Sequence, residues 1–145
     1  MAGSSTSSAD GAAYPLQALF VPFPFVCFTL ALLTDLAFAN TANILWQNFS
    51  AWLLFAGLVF GGLGILAALI DLIRPRTRPL RAALFPALLF VVILVLALIN
   101  SLVHAGDGWT AVVPAGLILS AVTVLFCLVA VAASTRRYAR LAWRI

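Results

Sequence analysis

Residues 49–73, FSAWLLFAGLVFGGLGILAALIDLI, contain a single charged side chain, Asp71, and stop at the basic run RPRTRPLR, residues 74–81. A helix rises about 1.5 Å per residue, so roughly 20 apolar residues suffice to cross about 30 Å of hydrocarbon. This stretch is long enough, and it predicts a transmembrane helix over Phe49–Ile73. Pro75 and Pro79 end it and keep the following turn tight. Three more apolar runs surround it, at Leu16–Ala39, Ala82–Val103 and Ala111–Ala133. The links between them, Asn40–Asn48, Arg74–Arg81 and His104–Thr110, are short.

The whole chain agrees with that reading. Of its 145 residues 65% are hydrophobic and 8% charged, against about half and about a quarter in soluble domains. The expected fold class is all-α, an integral membrane four-helix bundle in one domain, residues 14–134. Residues 1–13, MAGSSTSSADGAA, are too small and polar to repay ordering and are expected to form a flexible tail. Residues 135–145 form a basic amphipathic tail. The first span lacks a basic n-region and outruns an ordinary signal-peptide core, so it is read as a retained helix. Its opening holds Pro15, Pro22 and Pro24, which predict a kinked start packed against another helix, because carbonyls freed in hydrocarbon need partners within protein.

All eight basic residues are arginines, in two clusters: Arg74, Arg76, Arg78 and Arg81, then Arg136, Arg137, Arg140 and Arg144. Four crossings place both clusters on one side. The positive-inside rule assigns that side to the cytoplasm, with both termini, in a bacterial inner membrane. Amphipathic aromatics favour the interface and give the same answer. Trp46, Trp52 and Trp109 mark the periplasmic boundary, and Tyr14, Tyr138 and Trp143 the cytoplasmic one. The arginines are expected to meet anionic lipid or an acidic partner. The net charge of +4 therefore speaks for topology and against nucleic acid.

Two faces carry small residues. Gly57, Gly61, Gly64 and Ala68 recur at helical spacing in the second span, and Ser120, Thr123 and Cys127 in the fourth. In lipid, helices associate where small residues let backbones approach, so both faces are expected to pack against other helices. The second could alternatively line a site for a quinone or pigment head group.

Chemistry is sparse. His104 is the single histidine and is expected to be a polar residue at the interface; one haem ligated by two histidines would need a homodimer. Asp35 is expected within reach of the periplasmic interface and Asp71 beside Arg74, both structural in preference to proton-carrying. Cys27 and Cys127 read as buried small residues. No serine or cysteine is expected to share a layer with a base and an orienting acid, so nucleophilic catalysis has no support. Nothing in the pattern requires a cofactor or metal.

The segments YPLQA, FPF, LTDLAFANTA, NFSAWLL, LIDLI and HAGDGWTAVVPAGLILSAVTVL resemble the bacterial membrane proteins grouped as domain of unknown function family 2231, over nearly all of residues 14–130. The resemblance implies four helices and a bacterial origin. Relatives often carry a histidine where this chain has Tyr14, and a Gly-Trp-Gly-like end to the fourth helix where this chain has VAVAASTRRYAR. Similar proteins accompany periplasmic quinoprotein dehydrogenases, which suggests an electron-transfer setting. The expectation from all of this is a non-catalytic accessory subunit of a respiratory, dehydrogenase or photosynthetic complex, its partners other membrane subunits. The alternative is a haem- or quinone-binding electron carrier.

Overall fold

The computed structural model describes residues 15–74, 84–106 and 108–142, with side chains up to Arg136. It is built from helices α1 (Gln17–Phe20), α2 (Pro22–Thr41), α3 (Ile44–Ile73), α4 (Leu84–His104), α5 (Trp109–Val112) and α6 (Ala115–Ala142). They provide four stretches long and apolar enough to cross a membrane: Gln17–Thr41, Ile44–Ile73, Leu84–His104 and Trp109–Arg136.

The expected prolines shape the first span less than their number implies. The helix ladder is interrupted only at Val21, whose dihedrals stay helical, and Pro22 then occupies the first turn of α2, where its missing N–H is harmless. This opening does pack against another helix. Phe23 stacks on Phe60 of α3 with ring centroids 4.7 Å apart, and Pro24 is buried.

The link between the first two spans is shorter than the expected Asn40–Asn48. α2 runs on to Thr41 and α3 starts at Ile44, leaving Ala42 and Asn43. Ala42 takes a left-handed conformation and its N–H bonds the Phe38 carbonyl, while the Asn43 side chain accepts from Leu45 N–H and caps α3. This capped turn recruits the flanking polar residues into the helices, whose backbone ladders supply the partners that hydrocarbon does not. Trp52 lies eight residues into α3, roughly 12 Å from the helix start, and with 70% of its surface exposed its side chain faces outward.

The fourth span also departs from its expected limits of 111 and 133. A separate turn, α5, precedes it, and α6 continues without a break to Ala142, so the first part of the basic tail prolongs the helix.

α2 packs against α3 and α6, and α4 packs against the same two. The spans therefore stand in an up-down square, with α2 diagonal to α4 and α3 to α6. Phe28, Ala31, Leu54, Ile93, Ala97 and Cys127 form the centre of the core. The buried stripe of α3 runs Gln47, Ser50, Leu54, Gly57, Gly61, Gly64, Ala67 and Asp71. Ala67, not Ala68, continues the glycine face; Ala68 is half-buried. A side chain at Gly57 would collide with the Phe28 ring, and one at Gly61 with Leu94. Ser120, Thr123 and Cys127 are likewise buried. Both small-residue faces thus lie against helices of this chain's own bundle, not against another subunit. The cysteines are free, Cys127 buried and Cys27 half-buried.

Candidate functional site beneath the α4–α6 connection

α4 is apolar except toward its end, where Asn100 and His104, four residues apart, occupy one helical face. That face points inward. Across the bundle, α2 contributes Asp35 and α6 contributes Ser120, and the four side chains make one hydrogen-bonded cluster. His104 Nε2 lies 2.8 Å from Asp35 Oδ1. Ser120 Oγ donates to Asp35 Oδ2 at 2.5 Å and accepts from Asn100 Nδ2 at 2.7 Å. His104 Nδ1 is 3.0 Å from the Asn100 carbonyl oxygen. Asp35 is 0% exposed and His104 3%.

This placement corrects two expectations. Neither Asp35 nor His104 reaches out to the interface; each turns inward and satisfies the other. The reason is energetic, because an ionisable group at the wall of the bundle would face hydrocarbon, whereas a buried one with a partner and further hydrogen bonds is tolerated. Room for the imidazole comes from Gly116, where a Cβ would stand 2.7 Å from His104 Cε1 and 2.8 Å from the Ala111 carbonyl oxygen.

The connection from α4 to α6 folds over the cluster as a cap. Within it, Ala111 and Val112 of α5 are buried. Gln47 Nε2 donates to the Gly106 carbonyl at 3.1 Å, and Phe38 meets the Trp109 ring at a centroid distance of 5.6 Å. One turn deeper, Thr34 and Ser50 join α2 to α3 through hydroxyls 2.6 Å apart. Two side-chain acceptors at this end, Asn100 Oδ1 and Gln47 Oε1, are buried without a hydrogen-bond partner.

The fold thus brings a serine, a histidine and an aspartate into contact, contrary to the expectation that no such layer exists. Their order is not that of a hydrolase triad. The carboxylate sits in the middle, bonded to both Ser120 and His104, so no contact between the hydroxyl and the imidazole is formed through which a base would activate it. Among the described residues no group of three or more His, Cys, Asp or Glu side chains is placed to hold a metal ion.

At the opposite end, Asp71 Oδ2 accepts from Gln17 N–H at 3.1 Å, and Asp71 Oδ1 lies 3.6 Å from Arg74 Nη1. The expected proximity to Arg74 is present. The same carboxylate also caps the amino end of the first span, where negative charge is favoured. Arg74 and Arg136 are exposed. Trp46 is half-buried and Trp109 exposed, both at the capped end. Tyr14, Arg76, Arg78, Arg81, Trp143 and Arg144, and the side chains of Arg137, Tyr138 and Arg140, lie outside the described residues, as do residues 1–13.

Asn100 and Gly116 were not singled out from the sequence. The signal was present in LINSLVH, residues 98–104, where Asn100 and His104 fall at a spacing of four and, with Ser101, interrupt an apolar helix.

A family model described as a predicted membrane protein, DUF2231, matches residues 13–143. No curated protein and no solved structure matches the chain.

Proposed function

We propose, from the premise that this chain belongs to the DUF2231 family of predicted membrane proteins, that it is a non-enzymatic accessory subunit of a larger assembly in a bacterial inner membrane. One observation carries the reading: the polar side chains of the capped end turn inward and bind one another, so that both Asp35 oxygens and both His104 ring nitrogens are engaged within the monomer. A histidine with both nitrogens engaged offers no axial ligand, and Ser120 makes no hydrogen bond to the imidazole that would act as its base in a triad. This favours an assembly role over haem-based electron transfer.

The rest of the chain supports the same view. The connections are as short as two residues, Ala42 and Asn43, which leaves little soluble surface for catalysis. The outer wall exposes large apolar side chains, among them Trp52, Phe55, Leu66 and Leu128, suited to lipid and to the flanks of neighbouring helices. Because the small-residue faces are used internally, docking to partner subunits falls to this outer wall. The arginine clusters face the cytoplasm and its anionic lipids, with both termini on that side.

Extraction into nanodiscs directly from the native membrane, followed by mass determination of the intact particle, tests the assembly role. The expected result is this chain in a defined complex with other membrane proteins. A monomer or homo-oligomer free of other chains, recovered at native abundance, overturns it.

A further inference from the structure

The cluster beneath the cap can be read hydrogen by hydrogen. A backbone carbonyl only accepts, so the 3.0 Å contact to the Asn100 oxygen requires a hydrogen on His104 Nδ1. Ser120 receives a hydrogen from Asn100 and spends its own on Asp35 Oδ2, so that oxygen acts as an acceptor. Nε2 and Oδ1, 2.8 Å apart, then face each other. With no hydrogen between them, two lone pairs oppose at contact distance. One proton is therefore shared there, and the pair holds it as either imidazolium and carboxylate or imidazole and carboxylic acid. Asn100 Oδ1, also buried and unpartnered, makes the cluster richer still in acceptors.

We propose that Asp35 and His104 form a one-proton binding site that exchanges with the aqueous face under Ala105, Gly106 and α5, and that this proton holds the cap closed. The site lies just below the surface. His104 is the last residue of α4, and the next two residues, Ala105 and Gly106, are exposed. Release passes the shared proton to water, with no change of oxidation state, and leaves a carboxylate and an Nδ1–H imidazole. Nε2 and Oδ1 then repel. The ring has no space on the α6 side, where it abuts Gly116, so it moves toward α5 and loosens the contacts at Gly106 and Trp109. Rebinding a proton restores the 2.8 Å contact and closes the cap.

Other titratable groups stand apart among the described residues. On α2 there is Cys27, two turns from Asp35; on α6, Cys127 and Arg136; at the far end of α3, Asp71, with Arg74 just beyond it; α4 and α5 contain none besides His104. Asp107 lies outside the described residues. The inference does not depend on the accessory role proposed above.

Because His104 is the single histidine, ¹⁵N-histidine labelling reports this site alone. The full chain in phospholipid nanodiscs is taken from about pH 5 to about pH 9, the range that brackets histidine titration, while amide exchange of residues 105–113 is followed by mass spectrometry and corrected for intrinsic rates. The expected result is a hydrogen on Nδ1 throughout, a single step at Nε2, and a loss of cap protection of about tenfold or more in that same step. Asp35→Asn abolishes the step in cap protection, whereas Ser120→Ala, which leaves the Nε2–Oδ1 contact in place, retains it. A bare Nδ1, the absence of any step, a step without a change in the cap, or an Asp35→Asn protein whose cap still responds overturns the proposal. Should Asp35→Asn fail to fold, the wild-type and Ser120→Ala profiles decide.

Discussion

Asp35 and His104 are coupled strongly enough to be measured as a pair. Asp35→Ala removes the acceptor of two hydrogen bonds, at 2.8 Å from His104 and 2.5 Å from Ser120, and leaves both former partners buried. Each stranded polar group costs about 1–3 kcal/mol, so the substitution should destabilise the bundle by about 2–6 kcal/mol. Hydrogen bonds between transmembrane helices average about 0.6 kcal/mol, because the unfolded chain in lipid finds other partners. An ionisable pair with 0% and 3% exposure belongs well above that mean. His104→Ala strands Asp35 Oδ1 and should cost a similar amount. Once one partner is gone, removing the second relieves the stranded group, so the double variant should lose about 1–3 kcal/mol less than the sum of the singles. Reversible unfolding in mixed micelles, followed by tryptophan fluorescence, measures all three. Additivity within about 0.5 kcal/mol would show that the two residues do not act as a unit.

Two glycines should respond in opposite ways to the same methyl group. Gly116→Ala pushes a carbon against His104 and the Ala111 carbonyl and should cost about 1–3 kcal/mol, whereas Gly62→Ala, with nothing within 4 Å, should be neutral or stabilising by up to about 1 kcal/mol through helix propensity; thermal unfolding in detergent compares them. Gly57→Ala should destabilise by a similar 1–3 kcal/mol, roughly, through its collision with Phe28, and adding Phe28→Leu should recover part of the loss. A cysteine at Thr77, within the arginine-rich link, should react with a membrane-impermeant maleimide only after the inner membrane is opened, and labelling from the periplasm of intact spheroplasts would reverse the assigned orientation.

Four helices long and apolar enough to cross a membrane were legible in the sequence because bilayer thickness sets a length that each apolar run meets by itself, without reference to its neighbours. The inward stripe on α3 was legible for a similar local reason, since only small residues admit Phe28 and Leu94 so close to the backbone. What those faces pack against was not local information. Glycines at helical spacing look the same whether the approaching helix belongs to the same chain or to another, and only the square arrangement of α2, α3, α4 and α6 assigned them to the chain's own core.

The polar cluster shows the limit most clearly. Asp35, Asn100, His104 and Ser120 lie on three helices separated by up to 85 positions in the chain. Each taken singly sits near the end of an apolar run, where an interfacial role is the simplest reading. Their meeting depends on how three helices are rotated about their axes and on a cap that shuts out water, neither of which follows from hydropathy. Sequence alone established how many segments are long and apolar enough to cross a membrane, since that is a property of each segment. The tertiary structure alone decided which polar groups face one another, because a hydrogen bond between helices is a property of the bundle.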